Sequence, residues 1–262
     1  MRVPPVALST ASVWPERIDH AFRLAADLGY DGVEVMVWTD PASQELPALA
    51  RLSQRFGVPI LALHAPCLLI SQRVWDSDPV QRLRRSAEAA SELGASTMVI
   101  HPPFRWQRRY LRCFREEVLA AEARTGLPIA VENMFPIRRG RFTVSGFHPS
   151  PDPTDADYPH YTLDLSHTAA SGEDALALMD RMGSGLAHIH LTDGSGAPRD
   201  EHLVPGRGTQ PVAEVCERLV RDRFDGTVVV EITTRHLRSR EQRIKAVSES
   251  LLFARLHMEP VR

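Results

Sequence analysis

At 262 residues, with 43% apolar and 24% charged residues, the chain has the composition of an ordinary globular protein with enough apolar material for a large core. A formal charge of −2 gives it no global attraction for nucleic acid or an anionic membrane, although a local basic patch stays open. Cys67, Cys113 and Cys216 are odd in number and lack C-x-x-C spacing, which points to a reducing cytoplasm. The first residues, MRVPPVALSTASVWPERID, lack the apolar run of a signal peptide, and no stretch of about 18 apolar residues suggests a membrane span.

In chain order, short apolar runs alternate with helix-length amphipathic stretches. A first strand near Val6–Ser9 is followed by a helix over Glu16–Leu28, which Gly29 can cap. A strand over Gly32–Val37 precedes a helix over Ser43–Arg55, punctuated by Gly57 and Pro59. The third strand ends at His64, with a helix over Pro79–Leu93, and the fourth at His101, with a helix over Tyr110–Thr125. The fifth ends at Glu132 and the sixth at Asp164, with a helix over Glu173–Met182. The seventh ends at His190, with a helix over Pro211–Arg221, and the eighth at Glu231, with a helix over Ser239–Leu256. Eight βα units predict a closed parallel eight-stranded (β/α)8 TIM barrel, a single domain over 1–262, since such barrels typically need about 250 residues. One segment breaks the rhythm: Arg138 to Pro159 follows the fifth strand and reads as a loop covering substrate, the plain alternative being disorder.

Six of these strands stop on a residue that binds metals: His64, His101, Glu132, Asp164, His190 and Glu231. Just downstream lie His167, Asp200 and His202. Nine such side chains converge if parallel strands deliver them to one rim, where barrel enzymes carry their chemistry. The residues two positions earlier, Ala62, Val99, Ala130, Thr162, His188 and Val229, should share the inward face one layer deeper. Five of them are small or β-branched, as a narrow lumen needs. His188 is the exception; it reads first as a hydrogen-bonded interior histidine and then as support for the ligands. Imidazoles and carboxylates without cysteine suit zinc, manganese, cobalt or iron and leave the choice among them open.

Other candidates weigh less. Glu34 could line the pocket, but an ion pair inside the barrel is the plainer reading. Trp38, Trp75, Trp106 and Phe104 could wall an apolar side of the site, though single aromatics are more often packing. Cys67, three residues after His64, lacks a separate histidine to act as base. The clusters Arg105, Arg108, Arg109, Arg112 and Arg138, Arg139, Arg141 follow ligand-bearing strands; they read either as solvated helix faces or as clamps for a sugar phosphate. Arg207, inside P-G-R-G, is a further candidate for substrate oxygens. Arg105, Arg138, Arg207 and His188 therefore stand as the substrate-side set.

The order H-A-P, H-P, V-E-N, L-D-x-x-H, H-x-x-D, D-x-H-x-x-x-G-x-G and V-E resembles the xylose isomerase-like barrel superfamily across nearly the whole chain. That group joins sugar isomerases and epimerases with the endonuclease IV type of abasic-site nuclease (AP endonuclease family 2). In the isomerase branch the resemblance implies one divalent metal on Glu132, Asp164, His190 and Glu231, the two glutamates moving protons on a sugar or sugar phosphate through an enediolate. In the nuclease branch it implies three zinc ions: on His64, His101 and Glu132; on Glu132, Asp164, His190 and Glu231; and on His167, Asp200 and His202. Nucleic acid ranks second as a partner. Cys67 stands where the nucleases usually show an aromatic residue, D-L-S-H replaces their D-T-C-H, and the lysine expected after H-L-x-D-S is missing. A related dehydratase, lyase or oxidase, and a non-catalytic metal-binding barrel, stand behind both. Substrate identity and oligomeric state are not legible in the sequence.

Overall fold

A computed structural model describes residues 3–139 and 142–259. Eight strands close into a barrel: β1 (Val6–Ser9), β2 (Gly32–Met36), β3 (Ile60–His64), β4 (Thr97–Ile100), β5 (Ile129–Glu132), β8 (His160–Asp164), β9 (Leu186–Leu191) and β10 (Thr227–Val230). Each pairs in parallel with its neighbours in that order, and β10 returns to β1. Their apolar runs suit strands buried on both faces. The extra pair, β6 (Ile137–Arg139) and β7 (Phe142–Val144), forms an antiparallel hairpin after β5.

The outer ring is α1 (Ile18–Leu28), α2 (Leu46–Phe56), α3 (Pro79–Glu92), α4 (Arg108–Thr125), α6 (Ala175–Met182), α7 (Val212–Arg221) and α8 (Arg240–His257). Gly29, at φ 82, ends α1 as the sequence suggested, and a Ser239–Gln242 capping box starts α8. One helix escapes the sequence reading: α5 (Leu165–Ser171) follows β8 at once, with the Asp164 side chain as its cap. Its residues, LSHTAAS, are small, polar and almost wholly buried, so they lack the amphipathic stripe that marks a helix at the surface.

Two packing layers result. Phe22, Leu49, Leu83, Phe114, Leu178 and Leu219 belong to the large apolar core that joins strands to helices. Ala62, Val99, Ala130 and Val229 are equally buried but lie apart from that core, as lumen residues would. These small side chains leave room inside the barrel for the larger Glu34, His188 and His190.

The segment after β5 is ordered where described. Beyond the hairpin, Phe147 bridges back to Phe104, Met134 N–H donates to Pro151 C=O at 2.8 Å, and Arg181 of α6 binds Asp152 at 2.9 Å. Arg141 lies outside the described residues.

Candidate active site

The period-two alternation that buries Ala62, Ala130, Thr162 and Val229 carries the side chains two residues later to the same inward face, at the strand ends. His64, Glu132 and Asp164 are the last residues of their strands, and His190 is the last but one of β9. His101 and Glu231 stand one residue past β4 and β10. All are buried.

Glu132 is the hub. Its Oε2 lies 3.3 Å from His64 Nε2 and 3.1 Å from His101 Nε2. Its Oε1 lies 3.1 Å from His190 Nδ1 and 3.3 Å from His167 Nδ1. The same His190 Nδ1 is 3.4 Å from Asp164 Oδ2 and 3.0 Å from Glu231 Oε2. Three carboxylates from three strand ends thus surround one imidazole nitrogen. In strand order β5, β8, β9, β10, the two glutamates come from the outer members and Asp164 and His190 from the two between.

A second group sits beside the hub on less regular chain. His167 lies in the first turn of α5, where its N–H donates to Asp164 Oδ1 at 2.7 Å. Asp200 Oδ2 is 3.5 Å from His167 Nε2 and 2.8 Å from His202 Nε2. His202 has φ 43, a left-handed backbone uncommon outside glycine, though histidine enters it more readily than most residues. Such conformations persist where surrounding contacts fix them. Here Ser166 Oγ accepts the N–H groups of Glu201 and His202 at 3.1 and 2.9 Å and donates to Asp200 Oδ1 at 2.7 Å.

Charge balance decides what such a site needs. Burying an isolated ionised group costs several kcal/mol or more, so these carboxylates require partners. Burial works to raise the Glu132 carboxyl, yet His190 and His101 outweigh it and hold it well below the usual range. Burial likewise opposes charge on His167, but Asp164 and Asp200 carry its imidazole up to about 10. His190 and His202 are also pushed up, against burial, by Glu231 and by Asp200 respectively. Free of ions, the carboxylates hold His64, His167, His190 and His202 towards the imidazolium form, whereas burial lowers His101.

The donor arrangement also fits cations. Asp164 Oδ2 is buried without a hydrogen-bond partner while facing His190 Nδ1, an orphan acceptor that costs about 1–3 kcal/mol unless a cation or proton satisfies it. The Nδ1 groups of His64, His167 and His202 lie 3.0, 2.8 and 3.0 Å from the carbonyls of Ala65, Asn133 and Glu231. A carbonyl only accepts, so each Nδ1 carries a hydrogen, and a ring that sheds its other proton to bind a cation offers the lone pair on Nε2. Donor atoms of Glu132, Asp164 and His190 lie within 4.8 Å of one another, as do those of His64, His101 and Glu132, and of Asp164, His167 and His202.

A model of the xylose isomerase-like TIM barrel matches residues 22–256. The chain belongs to that family. An uncharacterized protein of Mycobacterium tuberculosis is 53% identical over 272 residues, covering 97% of both chains. Fructoselysine 3-epimerase of Escherichia coli O157:H7 is 22% identical over 273 residues, covering 94% of this chain and 92% of the relative. Among solved structures, 3-keto-D-glucoside 4-epimerase from E. coli superposes with a TM-score of 0.71 at 18% identity, over 97% and 99% of the two chains. An AP endonuclease of family 2 from Brucella melitensis reaches 0.67 at 18% identity, over 88% and 94%. These solved structures share the barrel fold with this member of the family.

The structure thus brings together all nine ligand-type residues named from the sequence, but not the substrate-side set. Arg105 donates to the carbonyls of Phe147 and Pro149, both at 3.1 Å, and so pins the segment after the hairpin. Arg207 pairs with Glu249 of α8. Both guanidiniums reach neighbouring chain because each finds acceptors there. The Arg138 side chain lies outside the described residues. His188 is wholly buried one layer beneath His190, too deep to touch a substrate, because strand parity places it below the rim. Cys67 Sγ accepts the His101 N–H at 3.4 Å, and burial pushes its thiol up to about 12, which suits packing and not nucleophilic attack.

Sequence reasoning gave no role to several supporting residues, although Asn133 and Asp193 stand in the V-E-N and H-x-x-D motifs. Asn133, next to Glu132, accepts the Asp164 N–H at 2.7 Å and donates to the Asp164 carbonyl at 3.1 Å, tying β5 to β8 at the rim. Phe147 stacks on Phe104 at 5.0 Å between ring centres and meets the His101 ring edge-on at 6.5 Å, while Phe135 lies 5.0 Å from the His167 ring. Asp193 accepts four backbone N–H groups, from Gly194, Gly206, Gly208 and Gln210, at 2.8–3.1 Å. That cradle explains P-G-R-G. Gly206 sits at φ 81, and a side chain on Gly208 would strike the Asp193 carboxylate. The H-x-x-D motif and the flanking glycines were the available signals for Asp193.

Proposed function

We propose that this family member is a metal-dependent isomerase or epimerase acting on a sugar, with Glu132 and Glu231 transferring protons on the substrate. One observation carries the reading: Glu132, Asp164 and Glu231 each place a carboxylate oxygen 3.0–3.4 Å from the same nitrogen of His190. Those four residues would hold a divalent zinc, manganese, cobalt or iron ion, which would polarise the substrate's carbonyl and hydroxyl oxygens.

The chain's own residues supply the rest. Removing a proton from carbon next to a carbonyl needs a base on one side; returning it to the neighbouring carbon, or to the opposite face of the same carbon, needs an acid. Glu132 and Glu231 arrive from strands on either side of Asp164 and His190, so they can address a substrate from two directions. One takes a proton as the carbon–hydrogen bond breaks, its electron pair turning the neighbouring carbonyl into an enediolate; in an isomerisation the hydroxyl proton then passes to the former carbonyl oxygen. The other gives a proton back as the carbonyl re-forms, so the sugar leaves with no net change in composition. Phe147, edge-on to the His101 ring, and Phe135, tilted against the His167 ring, would wall one side of the site. Because Arg105 and Arg207 are engaged with protein groups, the proposal places a free sugar ahead of a sugar phosphate. Fructoselysine 3-epimerase, related over most of the chain, supports the sugar class.

A second reading has its own observation. Asp200 bridges His167 and His202, and Asp164 adjoins them, so three metal-type groups lie side by side, as a trinuclear zinc phosphoesterase cleaving nucleic acid at abasic sites would need. Elemental analysis together with proton exchange separates the two. The isomerase reading expects about one tightly held divalent ion per chain and uptake of solvent deuterium into a ketose or aldose. Near three zinc ions, with cleavage of an abasic-site duplex and no sugar exchange, would replace it.

A further inference from the structure

Below the rim lies a buried acid–imidazole group that the proposed chemistry does not use. Glu34 stands in β2 where the pairing with β3 shifts register, between Val33 and Glu34. β2 borders β1 and β3, whereas His188 and His190 stand on β9, between β8 and β10. The carboxylate therefore crosses the barrel lumen. Glu34, His188 and His190 have no solvent exposure at all. Glu34 Oε2 lies 3.0 Å from His188 Nε2 and 3.4 Å from His190 Nε2. The His190 contact has hydrogen-bond alignment, whereas neither ring nitrogen of His188 makes an aligned hydrogen bond, despite the shorter distance.

We propose that Glu34 is a positioning residue that fixes the proton of His190 on Nε2, so that the Nδ1 lone pair points at the cation among Glu132, Asp164 and Glu231. This rests on the reading of the mouth given above. A neutral imidazole has one N–H and one lone pair, and a carboxylate can only accept. Without an ion, both ring nitrogens of His190 face carboxylates, Nδ1 towards Glu132 at 3.1 Å and Nε2 towards Glu34 at 3.4 Å; with a cation on the Nδ1 side, Glu34 would be the acceptor left for the ring's one N–H, on Nε2. The opposite tautomer would aim an N–H at the cation. A carboxylate behind a ligating imidazole also makes the ring a stronger donor to metal.

Burial alone does not account for Glu34. A lone carboxylate in the lumen costs several kcal/mol, and apolar residues of similar volume are often no worse in such a place. Its charge faces His190 and His188, and one of its oxygens, Oε1, is left buried without a partner. That is a costly way to fill a barrel whose neighbouring lumen positions hold Ala62, Ala130, Val99 and Val229. His188 places a second imidazole nitrogen 3.0 Å from the same oxygen.

The test uses zinc, which is silent in magnetic resonance. In zinc-loaded wild-type protein, nitrogen-15 spectra should show His190 with its proton on Nε2 and its Nδ1 bound. Titration calorimetry should show Glu34→Gln losing affinity for zinc by roughly 10- to 100-fold, with circular dichroism unchanged, and Glu34→Asp recovering part of it. A His190 proton on Nδ1, or a Glu34→Gln protein that binds zinc like the wild type, overturns the positioning role and leaves the site reading standing. Wild-type protein that takes up no zinc overturns the site reading and this inference with it. Should Glu34→Gln fail to fold, the wild-type spectrum decides alone.

Discussion

Two clusters of similar chemistry sit side by side at the mouth, and the chain holds them differently. Around Glu132, the groups come from strand ends, and His64, Asp164 and His190 are sealed from solvent or nearly so. Around Asp200, the groups come from the first turn of a short helix and from a loop, and the Asp200 side chain is 31% exposed. Strand ends are fixed by the barrel's hydrogen-bond ladder. The loop is fixed instead by Ser166 and by the four N–H groups that Asp193 gathers. Groups on rigid elements hold catalytic geometry more closely than groups on loops. The strand-end cluster is therefore the proposed reaction centre, and the loop-borne cluster an adjustable flank.

The largest effect should follow from breaking the rigid side. Glu132→Gln is expected to lower solvent-proton exchange into substrate by about 10³-fold or more, within the range that acid–base groups supply. Glu231→Gln should match it within roughly tenfold. If either variant kept near-normal exchange, the pairing of the two glutamates would fail. On the flank, Asp200→Ala combined with His202→Ala should cost less than about tenfold in turnover, because the proposed transfer needs neither group; a loss as deep as that of Glu132→Gln would favour the three-metal hydrolase.

Proton linkage gives a graded contrast. A histidine whose folded-state value is raised stabilises the ion-free fold fully below about pH 6.5, its unfolded value, and loses that contribution as pH climbs through the folded value. For His167 the window runs from about 6.5 to about 10. Thermal melts of ion-free protein should therefore show stability falling as pH rises across that window. Zinc affinity should move the other way, rising with pH, since bound imidazoles must first shed their protons. Calorimetry at two pH values checks the sign.

The smallest effect belongs to the loop's supports. Ser166→Ala should cost about 1–2 kcal/mol, the scale of lost buried hydrogen bonds, and raise proteolysis around residues 195–207 without moving the Glu132 cluster. Gly208→Ala should act on the same loop more strongly, since its methyl meets the Asp193 carboxylate.

The same division marks what was legible in the sequence. Strand ends were readable because period-two burial carries Ala62 to His64, Ala130 to Glu132 and Val229 to Glu231, and because eight βα units close in only one sense. The loop residues Asp200 and His202 were legible only as ligand types just downstream of a strand end, and resemblance in motif order gave them a role, since no periodicity governs them. Arg105 and Arg207 show the limit of such reasoning. An arginine near the rim in sequence binds whichever acceptor its long side chain reaches first, here two loop carbonyls and Glu249. Phe147 was unreadable for a related reason: its place beside His101 depends on a bridge to Phe104, 43 residues earlier, which no local pattern encodes. The helix α5 was missed because near-complete burial erased its stripe.

The most direct test of the central claim is anomalous diffraction from crystals grown with manganese. The account predicts a strong peak among the side chains of Glu132, Asp164, His190 and Glu231. A strong peak at Asp200 and His202, with none inside the strand-end group, would contradict it.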